Sequence, residues 1–574
     1  MKAGMPSFKK LTLTVALMLI NMSADAAILP GAAMPDTVSR SLKSQEPQPK
    51  RATPQNIQEH QTQQSKAQQE AAMKIKFTLN GVILEGNHIY STSQLSPLYK
   101  KQMHKTITVA DLFVIVQGIT NYYRNNGYII SRAVLPPQHV QDGVVKIQVV
   151  EGYLDKAKVI GDAKGAKCIV RAFGKEITKC RPLKLARMEE YLTLANEVPS
   201  TEVKAILAPS KTETGAADLV LNTTNHPITG YVSYDNYGTR YIGPQQMTAN
   251  LALNSFILSG DSLQGTVTKT PKGNELSFSD VNYNTAIINE YTRLLVGSTR
   301  AHTFPLFVLE SSQIDGLNNN YYSTLTYPLI RDRIQTWNIS AGFNVLDSYV
   351  TSLGVKLYTD HIRSLDLGTA YSFADRWYGS NSLAADFRQG LPIWGYTTDT
   401  NQATAQTSRP GGVAQYTKLT FQASRLQAVH GPISLYGLVK GQYAFDPLLS
   451  SEQFTFGGNP IGRGYDVAEL IGDKGLAGSL ELRYDVGVGH LYLQSLQPYV
   501  FYDAGMIWNR LIAPGSPGKL SGTSAGVGLR FFMNKYVSGN FMWTQTLTKQ
   551  VAAEEYIHQG RRPRLWFSLI ASFG

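Results

Sequence analysis

From Pro227 to Gly574 the chain runs in segments of about ten residues whose apolar and polar positions alternate, rich in Tyr, Gly, Ser and Asn. In LELRYDV, Leu480, Leu482, Tyr484 and Val486 fall on one side, and Glu481, Arg483 and Asp485 on the other. SAGVGLRFF sets Ala525, Val527, Leu529 and Phe531 against Ser524, Gly526, Gly528 and Arg530. The terminal LWFSLIASFG sets Leu565, Phe567, Leu569, Ala571 and Phe573 against Trp566, Ser568, Ile570 and Ser572. A soluble sheet would cover its apolar face with a second layer, and this half of the chain has no helical pattern to supply one. The alternation predicts a transmembrane β-barrel, in which lipid takes the apolar face, a wet lumen takes the polar one, and closure satisfies the backbone.

Seventeen segments read as strands, among them LGVKLYTDHI at 353–362. A single-chain barrel takes an even number, so LGVKLYTDHI is assigned to an external excursion and sixteen strands are expected. The short connections 257–262, 288–291, 330–335, 375–381 and 428–433 then lie on one side of the membrane. On that topology GGNPIGRGYDVAELIGDKG, residues 457–475, belongs to the sixth loop of the other side.

The earlier half is patterned differently. FTLNGVILEGN (77–87) reads as a strand, Ser91 or Ser93 opens a short helix, and a longer helix starts at a Thr108 cap with Asp111 in its first turn. Leu112, Ile115, Val116, Ile119 and Tyr123 form its apolar face, and Gly127 ends it. Strands at 128–135 and 144–150 follow, with Asp142-Gly143 in a tight turn. The order β-α-α-β-β recurs near 158–161, 169–173, 185–192, 202–208 and 217–223, which predicts two small α+β domains in tandem.

Ahead of them, residues 48–74 are rich in Gln, Lys and Ser and read as a linker. Residues 27–47 hold a short helix, with Asp36 or Thr37 as cap and Val38 and Leu42 on one side. The first 26 residues carry Lys2, Lys9 and Lys10, an apolar run Leu11 to Ile20, and Ala24-Asp25-Ala26. This is the pattern of a cleaved export signal, and the apolar run is too short to span a bilayer.

Export bears on Cys168 and Cys180, the only cysteines of 574 residues. In an oxidising compartment they are expected to pair and staple a local loop of the second small domain. The net charge of +12 is scattered rather than striped, so nucleic acid is not an expected partner. The glycine-rich stretch lacks the G-x-x-x-x-G-K-[ST] pattern, and neither a nucleophile elbow nor HExxH occurs. No catalytic, cofactor or metal site is predicted.

Five stretches carry a resemblance: GNHIYS (86–91), YYRNNGYIISRAVLPPQ (122–138), DGVVKIQVVEG (142–152), IGRGYD (461–466) and FYDAG (501–505). Together they resemble the two-partner secretion transporters of the TpsB family, the ShlB/FhaC/HecB group, over essentially the whole mature chain. The resemblance implies a signal peptide (1–26), a helix able to occupy the lumen (27–47), a linker (48–74) and two periplasmic POTRA domains (75–152 and 153–226). A sixteen-stranded outer-membrane barrel (227–574) follows, with a loop at about 446–477 folded inward. It also implies a secreted TpsA-type exoprotein as partner: an adhesin, a haemolysin, a haem-acquisition protein or a contact-dependent inhibition toxin. Outer-membrane lipid, the barrel-assembly machinery for insertion, and action as a monomer complete the expectation. The rival implication, from the same superfamily, is a factor that inserts other barrels.

Two motifs of the resemblance assign residues to a loop–barrel lock: Arg463, Gly464 and Tyr465 at the loop tip, and Phe501, Asp503 and Gly505 on a strand. Alternation puts Asp503 on one face of its strand with Phe501 and Gly505. A carboxylate on a barrel wall needs a cation, and the Arg463 guanidinium can pair with it bidentately. The pair is a static brace or a lock that affects conduction; both readings stand on the sequence. Cargo is expected to dock by strand addition, with 144–150 and 202–208 as candidate edges.

Overall fold

The computed structural model describes residues 29–45, 75–213, 215–271, 273–401, 406–510, 518–552 and 561–574. The export signal and the linker lie outside the described residues. Among those described, no helix is long and apolar enough to cross a membrane.

Seventeen strand segments from Ile228–Asp235 to Arg564–Phe573 close into one antiparallel barrel. Two of them, Lys474–Tyr484 and Val486–His490, are one strand interrupted at Asp485, so the wall has sixteen strands. Alternation does what lipid outside and polar groups inside require: Leu480, Leu482, Val500, Tyr502 and Val527 are about half exposed, whereas Glu481, Phe501, Asp503 and Ser524 are buried.

LGVKLYTDHI is not a separate excursion. It is the turn and outer half of Val355–Ala374, a wall strand of 20 residues that pairs with the 18-residue Gln335–Ser352. Leu353 and Gly354, both at positive φ (52° and 76°), make the two-residue turn between them. The neighbouring strand Gly379–Gly390 pairs only from Ser364 onward, so the outer half rises past the rim on that side. There a loop takes over the exposed edge, His361 N–H donating to Thr397 Oγ1 at 2.8 Å. Beyond the rim lipid no longer enforces alternation, which is why the strand looks like two.

The first small domain forms around helix α2, Val109–Asn125, whose predicted face Leu112, Ile115, Val116, Ile119 and Tyr123 is buried. Thr108 caps it reciprocally with Asp111. The Thr108 backbone N–H, and then its hydroxyl, hold the Asp111 carboxyl below its usual range. Three of the resembling stretches meet here: the Tyr90 ring lies 5.0 Å from those of both Tyr122 and Tyr123, and Glu151 accepts from Tyr123 Oη (2.8 Å) and Ile89 N (2.7 Å).

The sheet order corrects one candidate docking edge. Val144–Val150 is the central strand, parallel to Gly81–Glu85 and antiparallel to Arg132–Val134. Crossing over through the helices brings the first strand alongside the last, so both sides of 144–150 are taken. In the second domain Ala216–Asn225 is central and Thr201–Pro209 is an edge.

The cysteines do not pair. Cys168 begins and Cys180 just follows helix α3, Lys167–Thr178, and both thiols are free. A rise of about 1.5 Å per residue sets them roughly 18 Å apart, far beyond the ~4–7 Å between Cα atoms that a disulfide spans. The helical pattern around Ile169 to Phe173 extends through both positions, so the pair marks a helix rather than a loop. Helix α4, Leu185–Asn196, packs beside α3 with Met188 and Tyr191 in the same core.

The second domain is seated on the barrel. Ser259, in the turn between two strands, donates to the Gly165 carbonyl (2.6 Å), and Arg331 pairs with Glu197 at 2.7 Å. At the other end of the chain order, helix α1, Pro35–Gln45, lies inside the lumen. Met34 and Val38 are buried in one apolar cluster with Tyr241, Phe278, Tyr358 and loop residues Phe456 and Tyr465.

Candidate functional site

The connection 445–473 between Ile433–Ala444 and Lys474–Tyr484 is the sixth on the outer side, and it turns back into the lumen. A small hairpin, Phe454–Phe456 with Leu470–Gly472, forms its stem. Its tip turns at Gly462, whose φ of 91° a side chain would resist. Tyr465 N–H donates to the Gly462 carbonyl at 2.8 Å, closing the turn and presenting Arg463 to the wall.

Asp503 receives that arginine from several directions. Nε and Nη2 of Arg463 donate to its two oxygens at 2.9 and 2.6 Å, and the backbone N–H groups of Gly462 and Arg463 each donate at 3.0 Å. Nη2 also reaches Ser479 Oγ at 2.7 Å, and Nη1 donates to Glu481. The guanidinium carbon lies 3.5 Å from the Phe501 ring centroid, adding a cation–π contact. The Arg463 carbonyl accepts from Trp566 Nε1 at 2.9 Å. Arg463 and Asp503 are both out of solvent, where a bidentate charged pair is strong and a broken one is costly.

Neighbouring motif residues serve the same seat. Gly464 N–H donates to Ser524 Oγ at 3.2 Å, and the buried Tyr465 donates its hydroxyl to the Thr523 carbonyl at 3.1 Å. Gly505 leaves room for the loop: a Cβ there would stand 2.1 Å from the Phe456 ring. All six residues named from the two motifs are thus placed in one region of the lumen.

Sequence reasoning missed Ser479, Glu481, Trp566, Ser524 and Phe456. Alternation had set Glu481 and Trp566 opposite the lipid-facing residues, which was the available signal. What it lacked was register: Ser479, Asp503 and Ser524 are direct partners across three adjacent strands. Glu481 in turn pairs with Arg530 (3.1 Å) and also contacts Arg483, which extends the charged network along the wall.

Other anchors hold the loop on both sides of the tip. Glu452 pairs with Lys418 (2.6 Å) and Arg388 (3.2 Å), and Asp466 with Arg564 (2.6 Å). Asp473 accepts from Arg409 and from the backbone N–H groups of Leu448 (2.8 Å) and Arg510 (2.7 Å). Among the described residues no cluster of three or more His, Cys, Asp or Glu side chains could hold a metal ion.

The barrel thus has an inward loop, a helix in its lumen and the second of two small domains seated on its inner rim. The family described as haemolysin secretion/activation protein ShlB/FhaC/HecB matches residues 215–529, and the ShlB-type POTRA domain matches residues 77–152. The chain belongs to the ShlB/FhaC/HecB family. The heme/hemopexin transporter protein HuxB of Haemophilus influenzae (strain 86-028NP) is 24% identical over 561 residues, 94% of this chain and 95% of that protein. The outer membrane transporter CdiB of Dickeya dadantii is 24% identical over 432 residues, 71% of this chain and 72% of that one. The solved structure of CdiB from Escherichia coli superposes with a TM-score of 0.69 at 18% identity, covering 100% of both chains, and so shares the fold. This family member is an outer-membrane transporter of the two-partner secretion type, which passes a partner exoprotein through its barrel.

Proposed function

We propose that the division of labour follows the boundaries read from the sequence: signal 1–26, lumen helix 27–47, linker 48–74, POTRA domains 75–152 and 153–226, and barrel 227–574. The exoprotein, of TpsA type, arrives unfolded and docks to the POTRA domains by strand addition. The edge Thr201–Pro209 supports this reading. At Val203 the side chain of Asn196 already bonds the outward N–H and C=O at 2.8 and 3.1 Å, so the next outward rungs, Ala205 and Leu207, are those an incoming strand would use. The protein acts as a monomer in outer-membrane lipid after insertion by the barrel-assembly machinery, and transport asks for no catalytic group.

The observation that carries the mechanism is the completeness of the Arg463 seat. With four of its five guanidinium N–H donors engaged, Arg463 acts as a brace that keeps the loop inside the wall, and helix α1 is the part that must leave before cargo passes. Folding of the exoprotein outside the cell gives the passage its direction.

Gene deletion tests the reading. Loss of one large exoprotein from the surface and medium, with other outer-membrane barrels at normal levels, is the expected result. A general loss of barrels would instead assign the protein to barrel insertion.

A further inference from the structure

Helix α3 carries Lys167, Arg171, Lys175 and Lys179 at four-residue spacing, which sets them on one exposed line. The opposite face, Ile169, Val170, Phe173 and Ile177, is buried in the second domain's core. Lys179 contacts Glu176, while Lys167, Arg171 and Lys175 make no ion pair among the described residues. A basic line on a helix is ordinarily a solvated face. This one is placed where solvent is not its only neighbour.

The start of α3 is pinned to the barrel's inner rim. Ser259 Oγ donates to the Gly165 carbonyl and accepts from Ile169 N–H at 3.2 Å, and Ala286 and Tyr291 pack on the domain's core. Arg171, Lys175 and Lys179 line an open cleft with Cys168 and Glu176, and Glu290 of the rim forms its far side. The rim turns beside this contact expose large apolar side chains: Phe256 at 61%, Ile257 at 65%, Leu258 at 53% and Ile288 at 88%. The strands they join turn Leu251, Val267, Val281 and Val296 to lipid, so the apolar turns continue the lipid-facing band to its inner edge. Three consecutive exposed apolar residues are unfavourable in water. At the boundary of acyl chains and headgroups they are favourable, and cations beside them meet phosphates.

We propose that helix α3 and the turns 255–261 and 287–292 form one docking surface for the anionic phospholipid headgroups of the periplasmic leaflet. Lys167, Arg171 and Lys175 hold the headgroup phosphates, the apolar turn residues enter the acyl boundary, and the second domain is kept level with the membrane beneath the barrel mouth. The charge on the helix outweighs the two facing carboxylates, Glu176 and Glu290, so the surface retains a net attraction for anions.

Cys168 reports on this surface because it is exposed within the cleft. Full-length protein carrying Cys180→Ser is placed in nanodiscs of phosphatidylethanolamine mixed with either phosphatidylglycerol or phosphatidylcholine. The rate of Cys168 modification by a water-soluble maleimide is then measured. The surface predicts a rate at least about tenfold slower with phosphatidylglycerol, a difference removed by the triple variant Lys167→Glu, Arg171→Glu, Lys175→Glu. Hydrogen exchange of the buried face of α3 checks that the variant is folded; Ile288→Ser, alone on an exposed turn, should reduce the protection partially. Equal rates in the two lipids overturn the proposal, whatever the variants do. Protection that needs added exoprotein rather than the anionic lipid assigns the surface to cargo and also overturns it.

Discussion

Loop 445–473 and helix α1 share one lumen, and the wall holds them by different chemistry. The loop brings an arginine and several carboxylates, and the buried charges along it meet complementary ones: Arg463 with Asp503 and Glu481, Glu452 with Lys418 and Arg388, Asp466 with Arg564. The helix is seated through Met34 and Val38, the hydrogen bond from Arg40 to the Gln453 carbonyl (3.1 Å), and the pair of Lys43 with Asp280 at 3.6 Å. One oxygen of the buried Asp36, and Nε and Nη2 of Arg40, have no hydrogen-bond partner among the described residues. Polar groups withdrawn from water without partners oppose burial. The loop, although Ser451 Oγ, Asp466 Oδ2 and Arg564 Nη1 also lack a hydrogen-bond partner among the described residues, is held by more buried ion pairs than the helix, in keeping with the proposal that the loop is the fixed part and the helix the removable one.

The largest blow to this contrast is Arg463→Ala, which strands Asp503 and Glu481 in the lumen. Breaking a buried pair from one side costs about 3–5 kcal/mol. Secretion should fall sharply while heat-modifiable mobility on gels shows the barrel still inserted; normal secretion would remove the loop from the mechanism. Deleting residues 29–45 should raise single-channel conductance in planar bilayers and leave loop 445–473 resistant to protease. Unchanged conductance would show that the helix does not obstruct the channel. Arg40→Ala removes one bond between the helix and the loop. A loss of about 1 kcal/mol should appear as a severalfold rise in opening frequency without loss of secretion. The smallest effect is expected from Lys43→Gln, because Lys43 is partly exposed and its pairing is screened: a few tenths of a kcal/mol, seen as a weaker dependence of opening on salt. An effect as large as that of Arg463→Ala would reverse the ranking of the two occupants.

Much of this contrast could be read in the chain before folding. Alternation in LELRYDV, SAGVGLRFF and LWFSLIASFG correctly separated lipid-facing from lumenal residues, because a strand's two-residue period is local and the barrel imposes a different solvent on each face. Arg463 and Asp503 were named by the two motifs of the family resemblance, and the need of a carboxylate on the wall for a cation agreed with their pairing. The cysteines failed as a prediction because compartment chemistry says that two thiols could pair, while only the path of α3 says how far apart they stand. Strand 144–150 failed for a related reason. Its own residues show that it is a strand, and its position in the sheet depends on a crossover begun some sixty residues earlier.

The sequence by itself determined the barrel and the two small domains with their caps and apolar faces, which rest on short-range periodicity and on the chemistry of single side chains. The count of sixteen strands needed the even-number rule as well, and the loop arginine and its carboxylate were named through the motifs of the family resemblance. The tertiary structure alone decided that Ser479, Asp503 and Ser524 share one rung, that Glu481 and Trp566 complete the seat of Arg463, that α1 lies in the lumen, and that α3 presents its cations beside an apolar rim. Those are matters of register and approach between segments far apart in the chain, and they are settled by the closure of the barrel, which no local pattern records.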